Sequence, residues 1–180
     1  MTQRRTATTS RPVYRGRVIS LDVETVTLPN GHECELEVIS HPGGAAVVAL
    51  NDRDEVCLLH QYRHVAAGWL WELPAGKLDG GSPLENAQRE LAEEAGVRAA
   101  NWWSLGSYFS SPGVFKEVVH LFLARDLVAC EANLEVDEVL TVTWVPFAQA
   151  CARAASGEIT DGKTIVGLLR AQAGGAHDLT

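Results

Sequence analysis

The sequence predicts an α/β protein in which a mixed sheet lies between helices. Residues 45–50 and 56–60 form two nearly continuous apolar runs, which are typical of central strands covered on both faces. Helical patterns alternate with strand-like segments after them, and this order favours a layered arrangement. The 180 residues, 46% apolar and 21% charged, suffice for one substantial core with a small appendage.

The appendage is predicted at the N-terminus. Residues 1–11 contain Thr and Arg but no acidic side chain, and we expect a flexible tail there. Residues 12–43 are predicted to form an antiparallel arm. Apolar and polar residues alternate there on both sides of Asn30-Gly31, a dipeptide that favours a two-residue hairpin turn. Residues 44–180 then form the main domain.

The clearest element of the main domain is a helix over residues 83–95. Ser82 can cap its N-terminus, Pro83 occupies the first helical position, and Glu85 completes a capping box. Gly96 predicts the C-terminal end of this helix. Further strands are expected at residues 105–109, 118–124 and 140–145, and two closing helices at residues 147–155 and 163–173.

Composition and charge exclude several classes of function. The net charge is −8 and the basic residues do not cluster beyond Arg4-Arg5, so a nucleic acid polymer is not expected as a partner. The apolar runs are far shorter than the roughly 20 residues of a membrane-spanning helix, so no membrane partner is expected. The four cysteines are scattered without zinc-binding spacing, which favours reduced thiols in the cytoplasm.

An acidic edge on the helix carries the functional signal. Glu90, Glu93 and Glu94 stand at positions i, i+3 and i+4, so their carboxylates share one side of the helix. Like charges at this spacing cost roughly 0.2–0.5 kcal/mol per pair. A divalent cation compensates for such repulsion, and Mg²⁺ is commonly held by one or two carboxylates together with substrate phosphates. The alternative interpretation is an acidic face that is simply solvated.

The residues around this edge resemble the signature of the Nudix hydrolase family. Its box is G-x5-E-x7-R-E-U-x-E-E-x-G-U, where U is bulky and apolar, and RELAEEAGV at residues 89–97 fits the second half. Gly81 replaces the first glutamate of the box, and Gly76 lies one residue too close. In the family that glutamate pairs with the arginine, so the resemblance leaves Asp79 or Glu85 to pair with Arg89.

The flanking segments are similar to those of ADP-ribose pyrophosphatases. The matching stretches are WELPAGKL at residues 71–78, Ser111-Pro112-Gly113 with Glu117 four residues on, residues 137–146, and residues 159–164. The resemblance covers roughly residues 14–171. It implies a Nudix-type α/β/α sandwich with an N-terminal antiparallel β arm. It also implies a homodimer in which the two subunits exchange this arm.

The resemblance also implies roles for the acidic residues. Glu90 and Glu94 become the principal metal ligands, the Ala75 carbonyl completes the site, and Glu93 contributes directly or through water. Glu138 aligns as a further ligand. Mg²⁺ is the expected cofactor, with Mn²⁺ as a second possibility. The alternative for the loop that holds Glu138 is a solvated acidic turn.

Catalysis is expected to use Glu94 together with the loop at residues 135–138. The usual position of the general base holds Val136, which cannot accept a proton. Glu135 or Asp137 could act as the base if the loop shifts, unless metal-bound hydroxide needs no side-chain base.

The remaining predicted site residues would bind substrate. By resemblance, Arg63 contacts a phosphate or ribose, and Glu117 orients the substrate. Trp71 can stack on adenine, since a flat π-face binds bases. Core packing for Trp71 and a surface position for Arg63 are the alternatives. The full predicted set of substrate-binding residues is Arg63, Trp71, Glu72, Pro112 and Glu117.

The resulting functional prediction is Mg²⁺-dependent hydrolysis of a nucleoside diphosphate sugar, with ADP-ribose cleaved to AMP and ribose 5-phosphate. Another sugar nucleotide, GDP-mannose or a UDP-sugar, is the main alternative. A nucleotide-binding sensor without catalysis is a third hypothesis, which Gly81 and Val136 favour.

Overall fold

The computed structural model describes residues 7–177 and residue 179. They divide into two compact units, one formed by the described residues up to Gly43 with residues 109–118, the other by Gly44–Tyr108 and the described residues from Val119 onward. In chain order the described elements are β1 (Ala7–Arg15), β2 (Ser20–Thr27), β3 (Glu33–Ser40), β4 (Gly44–Ala49), β5 (Glu55–Arg63), a short 3-10 helix (His64–Ala66), β6 (Gly68–Glu72), β7 (Ala75–Lys77), α1 (Pro83–Ala95), β8 (Val97–Phe109), β9 (Phe115–Lys116), β10 (Val118–Ala129), β11 (Leu140–Pro146), α2 (Phe147–Ser156) and α3 (Gly162–Gln172).

The first unit is a sheet in the order β1-β2-β3-β9. Its first strands are antiparallel, and β9 pairs parallel with β3. The tail predicted over residues 1–11 is wrong for residues 7–11, because their backbone pairs with β2, for example Arg11 opposite Val23. Residues 1–6 of that predicted tail lie outside the described residues.

The turn between β2 and β3 is longer than predicted. Residues 28–32 connect the strands, whereas Asn30-Gly31 alone was expected to do so. The Gly31 N–H donates to the Leu28 carbonyl at 2.8 Å, and the Leu28 N–H donates to the His32 carbonyl at 2.8 Å. Gly31 has a φ of 82°, a conformation that glycine adopts without steric cost. The dipeptide therefore marks the turn but does not set its length.

The second unit has the predicted α/β/α layering. One sheet runs β7-β4-β10-β8 with β4 and β10 parallel, and the other runs β11-β5-β6 antiparallel. Alternate residues of β4 point to opposite faces and enter two separate cores. Val47 packs in the core that includes Leu91 of α1, whereas Val48 packs in the core that includes Cys151 of α2 and Leu168 of α3. The mixed fold predicted from the sequence is confirmed.

Helix α1 begins and ends where its local signals predict. The Glu85 N–H donates to Ser82 Oγ at 3.2 Å, and the Ser82 N–H donates to Glu85 Oε2 at 2.6 Å, which closes the capping box. Gly96 ends the helix with a φ of 64°. Because the Glu85 carboxylate serves the cap, the expectation that it pairs with Arg89 is wrong.

Two strands are longer than their apolar patterns suggested. β8 begins at Val97, directly after α1, although a strand was expected only from residue 105. β10 continues to Ala129 beyond the expected end at residue 124. Exposed polar residues in the added stretches, such as Asn101 and Asp126, conceal the strand pattern. All four cysteines are free, and none of the described helices is long and apolar enough to cross a membrane.

Candidate active site

A buried ion-pair network fixes the end of β6. The Glu72 side chain is 1% exposed. Its Oε1 accepts from Arg63 Nε at 2.8 Å, and its Oε2 accepts from Arg63 Nη2 at 2.8 Å and from Lys163 Nζ. Burial alone would raise the pKa of Glu72, but Arg63 and Lys163 outweigh it and lower the pKa below its ordinary value. Glu72 is therefore ionised and fully engaged within the protein.

The segment after Glu72 is fixed by two side chains from different helices. The Leu73 N–H donates to Thr164 Oγ1 at 2.8 Å, and this hydroxyl donates to Asp161 Oδ2 at 2.6 Å. Asp161 is also the N-cap of α3. On the other side the Ala75 N–H donates to Glu94 Oε2 at 2.7 Å. The segment at residues 73–75 is thus held between α1 and α3.

The acidic edge of α1 contains two buried carboxylates. Glu90 and Glu94 are 7% and 2% exposed. Burial raises the pKa of Glu94 to about 8; the charges on Glu90 and Glu138 add to this rise, while the Ala75 N–H and Arg63 oppose it. Burial also raises the pKa of Glu90, with Glu93 and Glu138 adding and Arg89 opposing. Burial thus favours the neutral form of these carboxyl groups, and a bound cation would favour their ionised form.

Gly76 allows the backbone of β7 to approach this edge. A Cβ atom at position 76 would lie 1.9 Å from Glu90 Oε1, so a side chain there would force the Glu90 carboxylate to move. Gly76 lies one residue from the position of the box glycine, and the structure supplies the reason for a glycine here. Glu90 packs directly against the main chain at Gly76.

Arg89 connects the loop before α1 to the acidic edge. Its Nη2 lies 3.0 Å from Asp79 Oδ2 and 2.9 Å from Glu90 Oε1, and its Nη1 donates to Glu93 Oε2 at 2.8 Å. Asp79 therefore supplies the partner that the sequence analysis expected from either Asp79 or Glu85. Glu93 is committed to Arg89, and its side chain is 33% exposed.

The donor set of the edge fits a divalent cation. No group of three or more His, Cys, Asp or Glu side chains within residues 7–177 converges closely enough to hold a metal on its own. Mg²⁺ does not require such a cage, since it commonly takes one or two carboxylates plus substrate phosphate and water. Glu90 and Glu94 offer those hard oxygen ligands. Ala75 contacts Glu94 through its N–H, and the role expected for its carbonyl stays a prediction.

The loop before β11 contributes one acidic residue to this electrostatic environment. The charge on Glu138 helps to raise the pKa of both Glu90 and Glu94. It also closes a turn, in which the Glu138 N–H donates to the Glu135 carbonyl at 3.1 Å and the Glu135 N–H donates to Glu138 Oε2 at 2.8 Å. Glu135 and Asp137 are exposed, as is Val136 between them. Glu138 is the residue of this loop that the fold brings toward the edge.

Trp71 lies on the opposite face of β6 from Glu72. Successive strand residues alternate in direction, and Trp71 packs against the core beneath α2 and α3. Its indole stacks on the His60 ring with centroids 4.6 Å apart, and the Arg153 guanidinium lies 4.6 Å from its centroid. These contacts favour the packing role of Trp71 over the predicted stacking on adenine.

Pro112 and Glu117 belong to the first unit. The turn that contains Pro112 is closed by the Phe115 N–H, which donates to the Ser111 carbonyl at 2.9 Å. Glu117 Oε1 lies 3.1 Å from His41 Nδ1. Their substrate-binding roles stay predictions.

Sequence reasoning missed Lys163, Asp161 and Thr164 as members of the network. Lys163 and Glu72 are 91 residues apart, so no local pattern links them. The resemblance at residues 159–164 and the N-cap preference of Asp161 indicate a helix start, but neither indicates a contact with β6.

Comparison with known proteins is consistent with this geometry. The profile of the NUDIX domain matches residues 40–165. The ADP-ribose pyrophosphatase of Bacillus subtilis (strain 168) is 38% identical over 155 residues, which cover 84% of this chain and 84% of that protein. The ADP-ribose pyrophosphatase of Mycobacterium tuberculosis (strain ATCC 25618 / H37Rv) is 37% identical over 169 residues, covering 91% and 81%.

A solved structure agrees at the level of the fold. The crystal structure of an ADP compounds hydrolase superposes with a TM-score of 0.81 at 21% identity, covering 96% of this chain and 95% of that one. The match to the NUDIX profile and to the two ADP-ribose pyrophosphatases identifies the chain as a pyrophosphohydrolase. The chain belongs to the NUDIX domain family, whose members generally use a divalent metal.

Proposed function

We propose that the chain hydrolyses ADP-ribose to AMP and ribose 5-phosphate, with Mg²⁺ as its cation. The observation that carries the proposal is the buried pair Glu90 and Glu94, packed against Gly76 and Ala75. The names of the two bacterial relatives support ADP-ribose as the substrate. In the reaction, water adds to one phosphorus of the diphosphate, one P–O bond of the bridge breaks, and each product leaves as a phosphomonoester.

In this proposal Glu90 and Glu94 hold the cation, with the Ala75 carbonyl and Glu138 as further oxygen ligands and Glu93 acting through water. The bound cation neutralises phosphate charge and lowers the pKa of water. Glu135 and Asp137 are the candidate acceptors of the proton from the attacking water. Glu138 is assigned to the cation, because its charge raises the pKa of both Glu90 and Glu94.

Arg63 is proposed to contact a substrate phosphate or ribose while Glu72 orients it. Two of its nitrogens, Nε and Nη2, donate to Glu72. Its Nη1 makes no hydrogen bond to the described residues, and its side chain is 38% exposed. A guanidinium fixed on one side by a carboxylate can present its remaining N–H groups in a set direction. Pro112 and Glu117 are proposed to orient the substrate.

The test is a product analysis with purified protein. ADP-ribose, GDP-mannose and UDP-glucose are incubated with Mg²⁺, and the products are separated by chromatography. We expect AMP and ribose 5-phosphate from ADP-ribose, with slower cleavage of the other two. Equal rates on all three would mean that the substrate assignment is wrong. Tight ADP-ribose binding in calorimetry without any product would identify a sensor instead.

The variant Glu94→Gln tests the metal mechanism within the same assay. We expect hydrolysis to fall to the level of the protein-free control, with the circular dichroism spectrum unchanged. Glu131→Gln removes an exposed glutamate and serves as the matched control, which should retain wild-type turnover. Turnover that persists in Glu94→Gln, or in excess chelator, would refute the mechanism.

We further propose a cytoplasmic homodimer that exchanges the arm at residues 12–43. Large apolar side chains on this arm are exposed, including Val13 at 52% and Tyr14 at 55%, and a second subunit would cover them. The free cysteines support a reducing compartment. Sedimentation equilibrium should give twice the chain mass, and Tyr14→Asp should shift it toward the monomer. A wild-type monomer at micromolar concentration would exclude the dimer.

A further inference from the structure

Gln61 in β5 carries a buried polar atom that the described protein does not satisfy. The residue is 3% exposed, and its Oε1 is buried without a hydrogen-bond partner among the described residues. The other buried polar side chains near the site, such as Glu72 and Asn86, have several partners each. A buried acceptor without a donor is unfavourable and calls for an explanation. A ligand of the site is one such explanation.

Strand geometry places Gln61 on the face of β5 that is turned toward α1. Cys57, Leu59, Gln61 and Arg63 are spaced by two residues and therefore share that face. Cys57 and Leu59 pack in the core with Leu91 of α1. Arg63, at the other end of the row, binds Glu72. Gln61 thus lies between the core beneath α1 and the ion-pair network at the end of β6.

Glu94 faces the same row from α1. Its charge adds to the effect of burial in raising the pKa of Cys57 to about 12, and it also raises the pKa of Arg63. Cys57 lies four residues before Gln61 in the chain, and Arg63 lies two residues after it. The Glu94 charge therefore acts on residues on both sides of Gln61 in this row.

The segment that follows Glu138 approaches Gln61 from the neighbouring strand. The Tyr62 N–H donates to the Val139 carbonyl at 2.9 Å, and Leu140 pairs with Gln61 in the β5–β11 register. Gln61 therefore shares a strand face with the two residues on which the Glu94 charge acts, and it pairs with the residue two positions after Glu138. Both of these glutamates belong to the proposed cation site.

We propose that Gln61 is a positioning residue of this site, whose buried carboxamide oxygen accepts a hydrogen bond from a water in the coordination shell of the divalent cation. The inference rests on the proposed function. A neutral amide suits this task, because it orients a water without removing its proton and adds no further negative charge beside Glu94. Groups that orient the outer shell of a metal site commonly change its affinity or activity by about 10–100-fold.

The variant Gln61→Met keeps the size of the side chain but removes the acceptor, and two measurements on it test the proposal. Without metal, the melting temperature should stay equal to that of the wild type or rise, because an unsatisfied buried acceptor is removed. With metal, the dissociation constant for Mn²⁺, measured by electron paramagnetic resonance of the free ion, should increase by about tenfold or more. Gln88→Met, on the exposed flank of α1, is the matched control and should change neither quantity.

Either of two results overturns the inference. A lower melting temperature of the metal-free variant, or its failure to fold, means that the amide already has a structural partner. Unchanged Mn²⁺ affinity means that the amide does not interact with the coordination shell of the cation. Failure of the proposed function is seen separately, since wild-type protein that binds Mn²⁺ but releases no AMP from ADP-ribose would refute the substrate and leave the role of Gln61 measurable.

Discussion

The ion-pair network at Glu72 allows a prediction whose magnitude follows from the structure. Glu72→Gln keeps the shape of the side chain but leaves Lys163 and Arg63 without their counter-ion. The Lys163 side chain is 18% exposed and that of Arg63 is 38% exposed, so water can replace part of the lost interaction at Arg63. Removing one partner of a buried ion pair costs about 3–5 kcal/mol. We expect a loss near the lower end of that range.

The measurement is urea unfolding followed by circular dichroism at pH 7. A loss of about 3 kcal/mol corresponds to a fall in melting temperature of roughly 6–12 °C for a chain of this size. Glu55→Gln is the control and should cost much less, since Glu55 pairs with Arg53, whose side chain is 75% exposed. A loss at Glu72 as small as that at Glu55 would refute the reasoning.

The same variant has a defined pH dependence. The folded protein lowers the pKa of Glu72 below its ordinary value of 4.5, so the carboxylate stabilises the fold fully above that value. This stabilisation is lost as the pH falls through the lowered pKa and the carboxylate gains a proton. The difference in unfolding free energy between wild type and Glu72→Gln should therefore be constant near neutrality and shrink in acid. A difference that grows below pH 4.5 would contradict the assignment.

Two further predictions concern the acidic edge. Gly76→Ala should weaken Mn²⁺ binding by about 10–100-fold, because its Cβ would meet Glu90 Oε1 at 1.9 Å. The control Gly162→Ala places its Cβ in open space and should leave Mn²⁺ binding unchanged. Equal Mn²⁺ affinities of the two variants in a calorimetric titration would contradict this prediction. Because burial raises the pKa of Glu94 to about 8, the neutral carboxyl is favoured in the metal-free fold, and unfolding free energy should decline between pH 4.5 and 8. This decline in unfolding free energy should be absent in Glu94→Gln, and it should be smaller for the wild type when Mg²⁺ is present. The same pH dependence in Glu94→Gln as in the wild type would contradict the prediction.

The parts of the molecule that the sequence predicts well are those with local causes. Helix α1 carries its own start and stop signals at Ser82 and Gly96, so its bounds need no tertiary information. Glu90 and Glu94 share an edge because of helical periodicity alone. The buried strands β4 and β5 are predictable because their apolar runs have no polar interruption.

The parts that the sequence does not predict depend on distant residues. The tie between Lys163 and Glu72 forms only when α3 packs beside β6, and nothing near either residue indicates it. Residues 7–11 form a strand because β2 pairs with them, although their composition is typical of a tail. In the sequence, Gln61 is a polar residue that follows an apolar run. In the structure it is distinguished by a buried oxygen without a hydrogen-bond partner among the described residues.

A Mn²⁺ titration monitored by electron paramagnetic resonance would show whether the acidic edge of α1 holds a cation. The amount of Mn²⁺ bound by the wild-type protein should rise in proportion to the concentration of protein chains. Glu90→Gln and Glu94→Gln should remain folded, and each should weaken Mn²⁺ binding by about tenfold or more. Binding of Mn²⁺ by both folded variants with wild-type affinity would contradict the account.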